Sequence, residues 1–224
     1  MRVVGHRGCP EHGPENTVAA VRTAVPHVDW IEVDARRCGS GEVVVLHDET
    51  LDRTTDLTGP VAEAPLADLE RARVDGTDEP VPTLAALLDA VPPAVTANVE
   101  LKERGLGDDV ARAAADAAAP VVVSSFDREA LAAVRAADAD LALAPLFVDE
   151  WSEALAWADD VDASSLHPHW ESATAERVAR AHDAGLEVNA WTPPDRAAVR
   201  ACREADVDGV IVDSWTLAAA GRER

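Results

Sequence analysis

Short β-branched runs alternate along the chain with alanine-rich segments whose apolar residues recur at helical spacing. This is the pattern of repeated βα units built on a parallel sheet. Eight strands are predicted: Arg2 to Gly5, Asp29 to Asp34, Val95 to Leu101, Pro120 to Ser124, Asp140 to Ala144, Val161 to Leu166, Leu186 to Trp191, and Asp208 to Val212. Between them, Val18, Val21, Ala24 and Val25 share one helical face, with Asn16 as the expected N-cap. Asp127 is expected to cap a helix from Arg128 to Ala136, Thr83 to cap one running through Ala90, and Gly185 to end one that begins near Ser172. Eight such units favour an α/β fold of the closed (β/α)8 TIM-barrel type over an open doubly wound sheet. No glycine-rich dinucleotide fingerprint supports the open sheet.

About sixty residues separate the second and third predicted strands, too many for an ordinary βα loop. A small insertion is therefore expected at about residues 35 to 80. Its first part, Ala35 to Leu46, reads as a hairpin interrupted by Gly39-Ser40-Gly41. With Gly39 and Ser40 as a two-residue loop, Glu32 would stand opposite His47. Asp48 to Asp78 is rich in Asp, Thr, Gly and Pro and is expected to form an irregular lobe over the barrel mouth.

At 224 residues the chain suits one barrel, and residues 1 to 224 are expected to form a single domain. Neither a secretory signal nor an apolar run of membrane-spanning length is legible, so a cytoplasmic protein is expected. Cys9, Cys38 and Cys202 lack paired spacing and read as packing residues. The 42 acidic residues against 20 basic ones give a formal charge of −22, which disfavours nucleic acid and stable association with anionic membranes. Scattered acids, abundant alanine and arginine, and no tyrosine resemble the proteins of salt-in halophiles.

Polar residues at the C-terminal ends of barrel strands are where chemistry is built. The first strand ends in Gly5-His6-Arg7-Gly8, the second carries Glu32 and Asp34, the hairpin returns to His47-Asp48, and the third strand carries Glu100 and Lys102. Glu32 and Asp34 lie two apart and so share a strand face, as do Glu100 and Lys102. Converging carboxylates suit a hard divalent cation, Mg²⁺ or Ca²⁺, better than zinc. Lys102 is the only lysine of the chain. It reads either as a charge retained for the site or as a partner that neutralises Glu100. His12, His27 and His182 are expected to be structural. His6 and His47, beside carboxylate-bearing ends, are candidates for an acid/base pair.

These blocks resemble the glycerophosphodiester phosphodiesterase family in order and spacing. The resemblance rests on His6-Arg7-Gly8, Pro14-Glu15-Asn16-Thr17, Ile31-Glu32-Val33-Asp34, Val45-Leu46-His47-Asp48, Leu51-Asp52-Arg53-Thr54-Thr55 and Asn98-Val99-Glu100-Leu101-Lys102. It continues through Val81-Pro82-Thr83-Leu84, Ser124-Ser125-Phe126, His167-Pro168, Trp191-Thr192 and Asp208-Gly209-Val210-Ile211. The resemblance implies a barrel that hydrolyses glycerophosphodiesters to glycerol 3-phosphate and an alcohol. His6 and His47 would be catalytic, and Glu32, Asp34 and Glu100 would hold the metal. Arg7 and Lys102 would lie near the phosphate, Trp191 would line the mouth, and Glu15 and Asn16 would support the site. The chain departs from the family pattern at Pro193-Pro194, at Val212-Asp213-Ser214 and in the Glu11-His12-Gly13 loop. The rival expectations are a phospholipase D-like barrel acting on lysophospholipids and a phosphate- or metal-binding barrel without turnover.

Raising KCl from about 0.1 M to about 2 M should raise the thermal midpoint by screening self-repulsion. A midpoint that stays level or falls in differential scanning calorimetry would contradict it.

Overall fold

The computed structural model describes residues 1–218. Its strands are β1 (Arg2–Gly5), β2 (Trp30–Arg37), β3 (Val43–Val45), β4 (Thr96–Leu101), β5 (Val121–Ser125), β6 (Ala142–Phe147), β7 (Ser165–Pro168), β8 (Glu187–Trp191) and β9 (Gly209–Val212). Eight of them run parallel in the order β1-β9-β8-β7-β6-β5-β4-β2, and β1 pairs back onto β2 through Val4↔Trp30 and Gly5↔Ile31, which closes the barrel. The helices are α1 (Val18–Ala24), α2 (Leu66–Leu69), α3 (Leu84–Leu88), α4 (Gly107–Asp116), α5 (Arg128–Ala137), α6 (Trp151–Asp160), α7 (Ala175–Asp183), α8 (Arg196–Glu204) and α9 (Trp215–Ala218). The expected TIM barrel with an insertion between its second and third barrel strands is the architecture found.

Strand alternation explains how one sequence supplies both a core and a site. Ile31, Val33 and Ala35 of β2 and Ala97, Val99 and Leu101 of β4 join one apolar cluster with Val21 and Ala24 of α1 and Leu84, Leu87 and Leu88 of α3. The intervening Glu32, Asp34, Asn98 and Glu100 must then point the other way, into the barrel. Pairing of β2 with β4 sets Glu32 beside Asn98 and Asp34 beside Glu100. Deeper in the barrel, Asn189 bonds both His167 at 3.1 Å and Arg2 at 3.3 Å, and burial pushes the His167 imidazole down to about 3.

Several element ends differ from expectation. The N-cap of α1 is Thr17, whose hydroxyl accepts from Ala20 N at 3.2 Å; Asn16 instead adopts a positive φ of 59° and turns its side chain into the site. Val161 closes α6 by bonding Trp157, so the strand predicted from Val161 begins only at Ser165. The preceding strand runs later than predicted, over Ala142–Phe147. Thr174 caps α7, while Ser172 lies in a short 3-10 turn. Asp127 caps α5 and Thr83 caps α3, as the spacing implied.

The hairpin register is corrected by one residue. Cys38 N bonds Glu42 O, and Gly41 N bonds Cys38 O, so the loop is Gly39-Ser40-Gly41, with Gly41 at a φ of 105° that an L side chain resists. Ala35 consequently faces Val45 and Arg37 faces Val43. Continued regularly, that ladder would set His47 opposite Val33, on the wrong face for Glu32. The strand ends at Val45, however; one further backbone bond, Leu46 N to Asp34 O at 3.0 Å, follows it, and the chain has left the ladder by His47. Residues beyond it build a lobe, whose Leu51, Val61, Leu69, Ala72, Val74 and Val81 pack with Cys38, Val44 and Leu46 of the hairpin in a second apolar cluster.

All three cysteines are buried free thiols, as the packing reading required. Asp195 caps α8 by accepting from Ala197 N at 2.8 Å and Ala198 N at 2.9 Å. Asp195→Ala should lower stability by about 1 kcal/mol through loss of that cap, read as an earlier denaturant midpoint with an unchanged slope. An unshifted midpoint would show that water replaces the cap at no cost.

Candidate active site

The first strand delivers three groups through one tight turn. His6–Gly8 forms a 3-10 turn in which Arg7 has a φ of 49° and Gly8 a φ of 77°. A Cβ on Gly8 would stand 2.8 Å from Ala20 Cβ, so α1 packs directly on this backbone. The turn lets Arg7 N donate to Glu32 Oε2 at 2.9 Å and puts His6 Nε2 3.9 Å from the same oxygen. His6 Nδ1 bonds Asp213 Oδ1 at 2.6 Å. The Arg7 guanidinium reaches Glu15 at 3.1 Å and Asp34 at 3.3 Å.

Glu32, Asp34 and Glu100 offer carboxylate oxygens that all lie within 4.8 Å of one another, and all three residues are buried. Glu32 Oε1 and Asp34 Oδ1 are buried without a hydrogen-bond partner among the described residues. Lys102 Nζ sits 2.6 Å from Glu100 Oε1 and 3.5 Å from Asp34 Oδ1. Both readings of Lys102 therefore describe real contacts: it neutralises Glu100 and also borders the site.

The electrostatics are uneven. Burial, followed by the Asp34 charge, pushes Glu32 up to about 8. Burial and Asp34 likewise raise Glu100. Burial acts upward on Asp34 too, but Lys102 and Arg7 together prevail and hold it below its ordinary value, aided by Asn16 Nδ2 donating at 2.8 Å. Three crowded carboxylates, two of them with an unpartnered buried oxygen, fit a hard divalent cation, which satisfies lone pairs and charge together.

His47 reaches the same cavity from the insertion. Its Nδ1 bonds Asp48 Oδ1 at 2.6 Å, and its carbonyl accepts from Arg36 Nε at 2.9 Å. Arg53 of the lobe holds Asp48 at 2.5 Å and Glu15 at 2.7 Å, tying His47 to the Arg7 side of the site. The two imidazoles are displaced in opposite directions. Burial opposes the charge on His6, but Asp213 and Glu32 raise it overall, whereas burial, with Lys102 and Arg7, lowers His47 against Asp34 and Asp48.

A cavity of about 150 Å³ is lined by His6, Arg7, Glu32, His47, Glu100 and Lys102, together with Trp191, Thr192 and Phe126. Of the residues expected to be catalytic, to hold the metal or to meet the substrate, all but Asp34 line it; Asp34 is fully buried. Glu15 and Asn16, expected to support the site, stand outside the lining and contact Arg7 and Asp34. Trp191 is anchored by its Nε1 donating to His167 O at 2.8 Å and stands edge-on to Phe126 at 5.5 Å. The unusual Pro193-Pro194 follows Thr192, with Pro193 buried and Pro194 exposed, and it leaves Trp191 and Thr192 in the cavity.

Residue patterns gave no role to Asp213, Asp48, Arg53 or Asn98. Asp213 directly follows β9 and could have been found by the rule that strand ends carry chemistry, as Asp48 could from its place beside His47 and Asn98 from β4 alternation; Arg53 depends on its contact with the distant Glu15. Of the histidines set aside as structural, His12 and His27 stack on Trp215 at 3.6 and 4.5 Å, and His182 bonds Asp208 at 2.9 Å.

A closed (β/α)8 barrel whose mouth gathers a carboxylate trio, two histidines and two cationic side chains defines a hydrolase class suited to anionic esters. The glycerophosphoryl diester phosphodiesterase family model matches residues 6–217, and the chain belongs to that family. A glycerophosphodiester phosphodiesterase of Caldanaerobacter subterraneus is 29% identical, over 94% of this chain and 93% of its own length. Among solved structures, a phosphodiesterase of Oleispira antarctica in complex with the product sn-glycerol-3-phosphate superposes with a TM-score of 0.89 at 27% identity, covering 98% of this chain and 96% of the other. The glycerophosphodiester phosphodiesterase of Thermotoga maritima gives a TM-score of 0.84 at 27% identity, covering 99% and 98%. The protein is thus a phosphoric diester hydrolase by class.

Crowding of the trio sets a pH signature for the cation-free protein. Glu32 holds a proton more tightly when folded than when unfolded, so its contribution is fully present below its ordinary value near 4.5 and is lost as pH rises through about 8. Chemical denaturation in chelator should show stability falling across that window, and Glu32→Gln should flatten the fall. Parallel profiles for the two proteins would refute the crowding argument.

Proposed function

We propose that the chain hydrolyses glycerophosphodiesters to glycerol 3-phosphate and an alcohol, with a divalent cation held by Glu32, Asp34 and Glu100 and with His6 and His47 moving the protons. The observation that carries this reading is a pair of Asp–His dyads facing one cavity. Each imidazole spends Nδ1 on its own carboxylate, Asp213 or Asp48, and so keeps Nε2 for the reaction. His6, raised by its surroundings, suits the proton donor to the leaving alcohol; His47, lowered by its own, suits the acceptor from the nucleophile.

When bound, the cation would supply Lewis-acid neutralisation of the phosphate charge, and oxygen ligation suits Mg²⁺ or Ca²⁺. Arg7 and Lys102 add fixed positive charge at the cavity wall, where developing charge on phosphate oxygens would be stabilised. Trp191 presents an anchored apolar wall to the substrate. The product named for the Oleispira relative, sn-glycerol-3-phosphate, is the product this chemistry would give. Among the described residues no helix is long and apolar enough to cross a membrane.

The test is a diester panel in high salt with chelator and cation add-back. Glycerophosphocholine should be cleaved, with activity lost in chelator and restored by Mg²⁺ or Ca²⁺. His47→Ala should lower turnover by about 10²–10⁴-fold while circular dichroism and cation binding stay unchanged. Wild-type rates from that variant would remove the acid/base role, and preference for lysophosphatidylcholine would favour the phospholipase D-like alternative.

A further inference from the structure

Asn98 takes no part in the cation site or in either dyad, yet it lines the same cavity. It precedes Glu100 by two residues on β4, so its side chain points inward one layer deeper from the mouth, beside Glu32. The residue is 1% exposed, and neither Oδ1 nor Nδ2 has a hydrogen-bond partner among the described residues. Buried amides are seldom left wholly unpaired, because each lost bond costs the full desolvation of the group.

The missing partner can be identified by its chemistry. Asn98 offers one acceptor oxygen and an amino group with two donor hydrogens. A phosphate oxygen could accept from Nδ2 but would leave Oδ1 unpaired. A cation could meet Oδ1 but not Nδ2. A hydroxyl, of water in the free protein or of a substrate when bound, can donate to Oδ1 and accept from Nδ2 with the same oxygen. The apolar Leu146 and Ile211 also line this cavity and offer no competing side-chain hydrogen bond.

Glycerophosphodiesters carry hydroxyls on the half that every member shares, whereas the alcohol on the other side of phosphorus varies. The deep end of a cavity suits the constant half, and the variable half can leave past Phe126, which is 49% exposed. We infer that Asn98 is a specificity residue whose side-chain amide receives a hydroxyl of the glycerol half. This rests on the glycerophosphodiester reading given above and adds to it a residue that selects for the polyol rather than for the phosphate.

A ligand-and-residue cycle tests it. Calorimetry would compare glycerol 3-phosphate with propyl phosphate, which lacks the hydroxyls, on the wild type and on Asn98→Leu in the same high-salt, cation-containing buffer. The wild type should bind propyl phosphate about 10-fold or more weakly, because a site built to bond a hydroxyl rejects the analogue without one. The variant should bind the two within about twofold of each other. Kinetically, Asn98→Leu should lose about 10-fold or more in kcat/KM on glycerophosphocholine, chiefly through KM, and stay within about threefold of wild type on bis(4-nitrophenyl) phosphate. Asn98→Ala serves the same comparison if the leucine variant does not fold. Equal binding of the two phosphates by the wild type, or equal loss on both diesters in the variant, would overturn the assignment while leaving the activity intact. A wild type that cleaves bis(4-nitrophenyl) phosphate but no glycerophosphodiester would overturn the functional reading, and this assignment with it.

Discussion

The mutual repulsion of Glu32, Asp34 and Glu100 is the constraint on which the rest of the mouth depends. Three carboxylates buried within 4.8 Å of one another cannot all keep full charge without compensation. The chain compensates one of them thoroughly: Asp34 is fully buried, yet it is held anionic by Lys102, Arg7 and the Asn16 amide. It leaves Glu32 and Glu100 raised, poised for a cation or a proton. Glu32 Oε1, without a hydrogen-bond partner among the described residues, marks where compensation from the protein stops.

The same charges reach outward into the scaffold. Arg7 spans Glu15 and Asp34; Glu15 is shared with Arg53, and Arg53 clamps Asp48, the partner of His47. The insertion lobe, folded on its own small apolar cluster, is therefore coupled to the barrel through charge-assisted hydrogen bonds at its tip as well as through the β2–β3 ladder. On the opposite side, β9 ends at Val212 and hands Asp213 to His6. The two imidazoles arrive from unrelated segments, yet each is oriented by an aspartate through Nδ1. That symmetry of role has no counterpart in chain position.

Much of this was legible in the residues because it depends on local periodicity. Alternation on β2 and β4 alone requires Glu32, Asp34, Asn98 and Glu100 to share a face, and the closed barrel then brings them together. Caps and strand ends are not set by periodicity alone. Asn16 and Thr17 are both good caps by type, and what separates them is that the Asn16 side chain finds Asp34 across the barrel mouth. Val161 is a natural strand former, yet its N–H bonds Trp157 O and closes α6.

The sequence by itself determined the barrel, the carboxylate trio, the two histidines and the family resemblance, because side-chain period and motif spacing are short-range properties carried by contiguous residues. Only the tertiary structure decided how His47 reaches the site, through a three-residue loop and a strand that ends at Val45 in place of the two-residue register that would set it against Glu32. It alone joined His6 to Asp213, placed Arg53 between Glu15 and Asp48, and left the Asn98 amide unpaired beside the cavity. These are meetings of residues far apart in the chain. Their geometry follows from where whole elements pack, which no local pattern encodes.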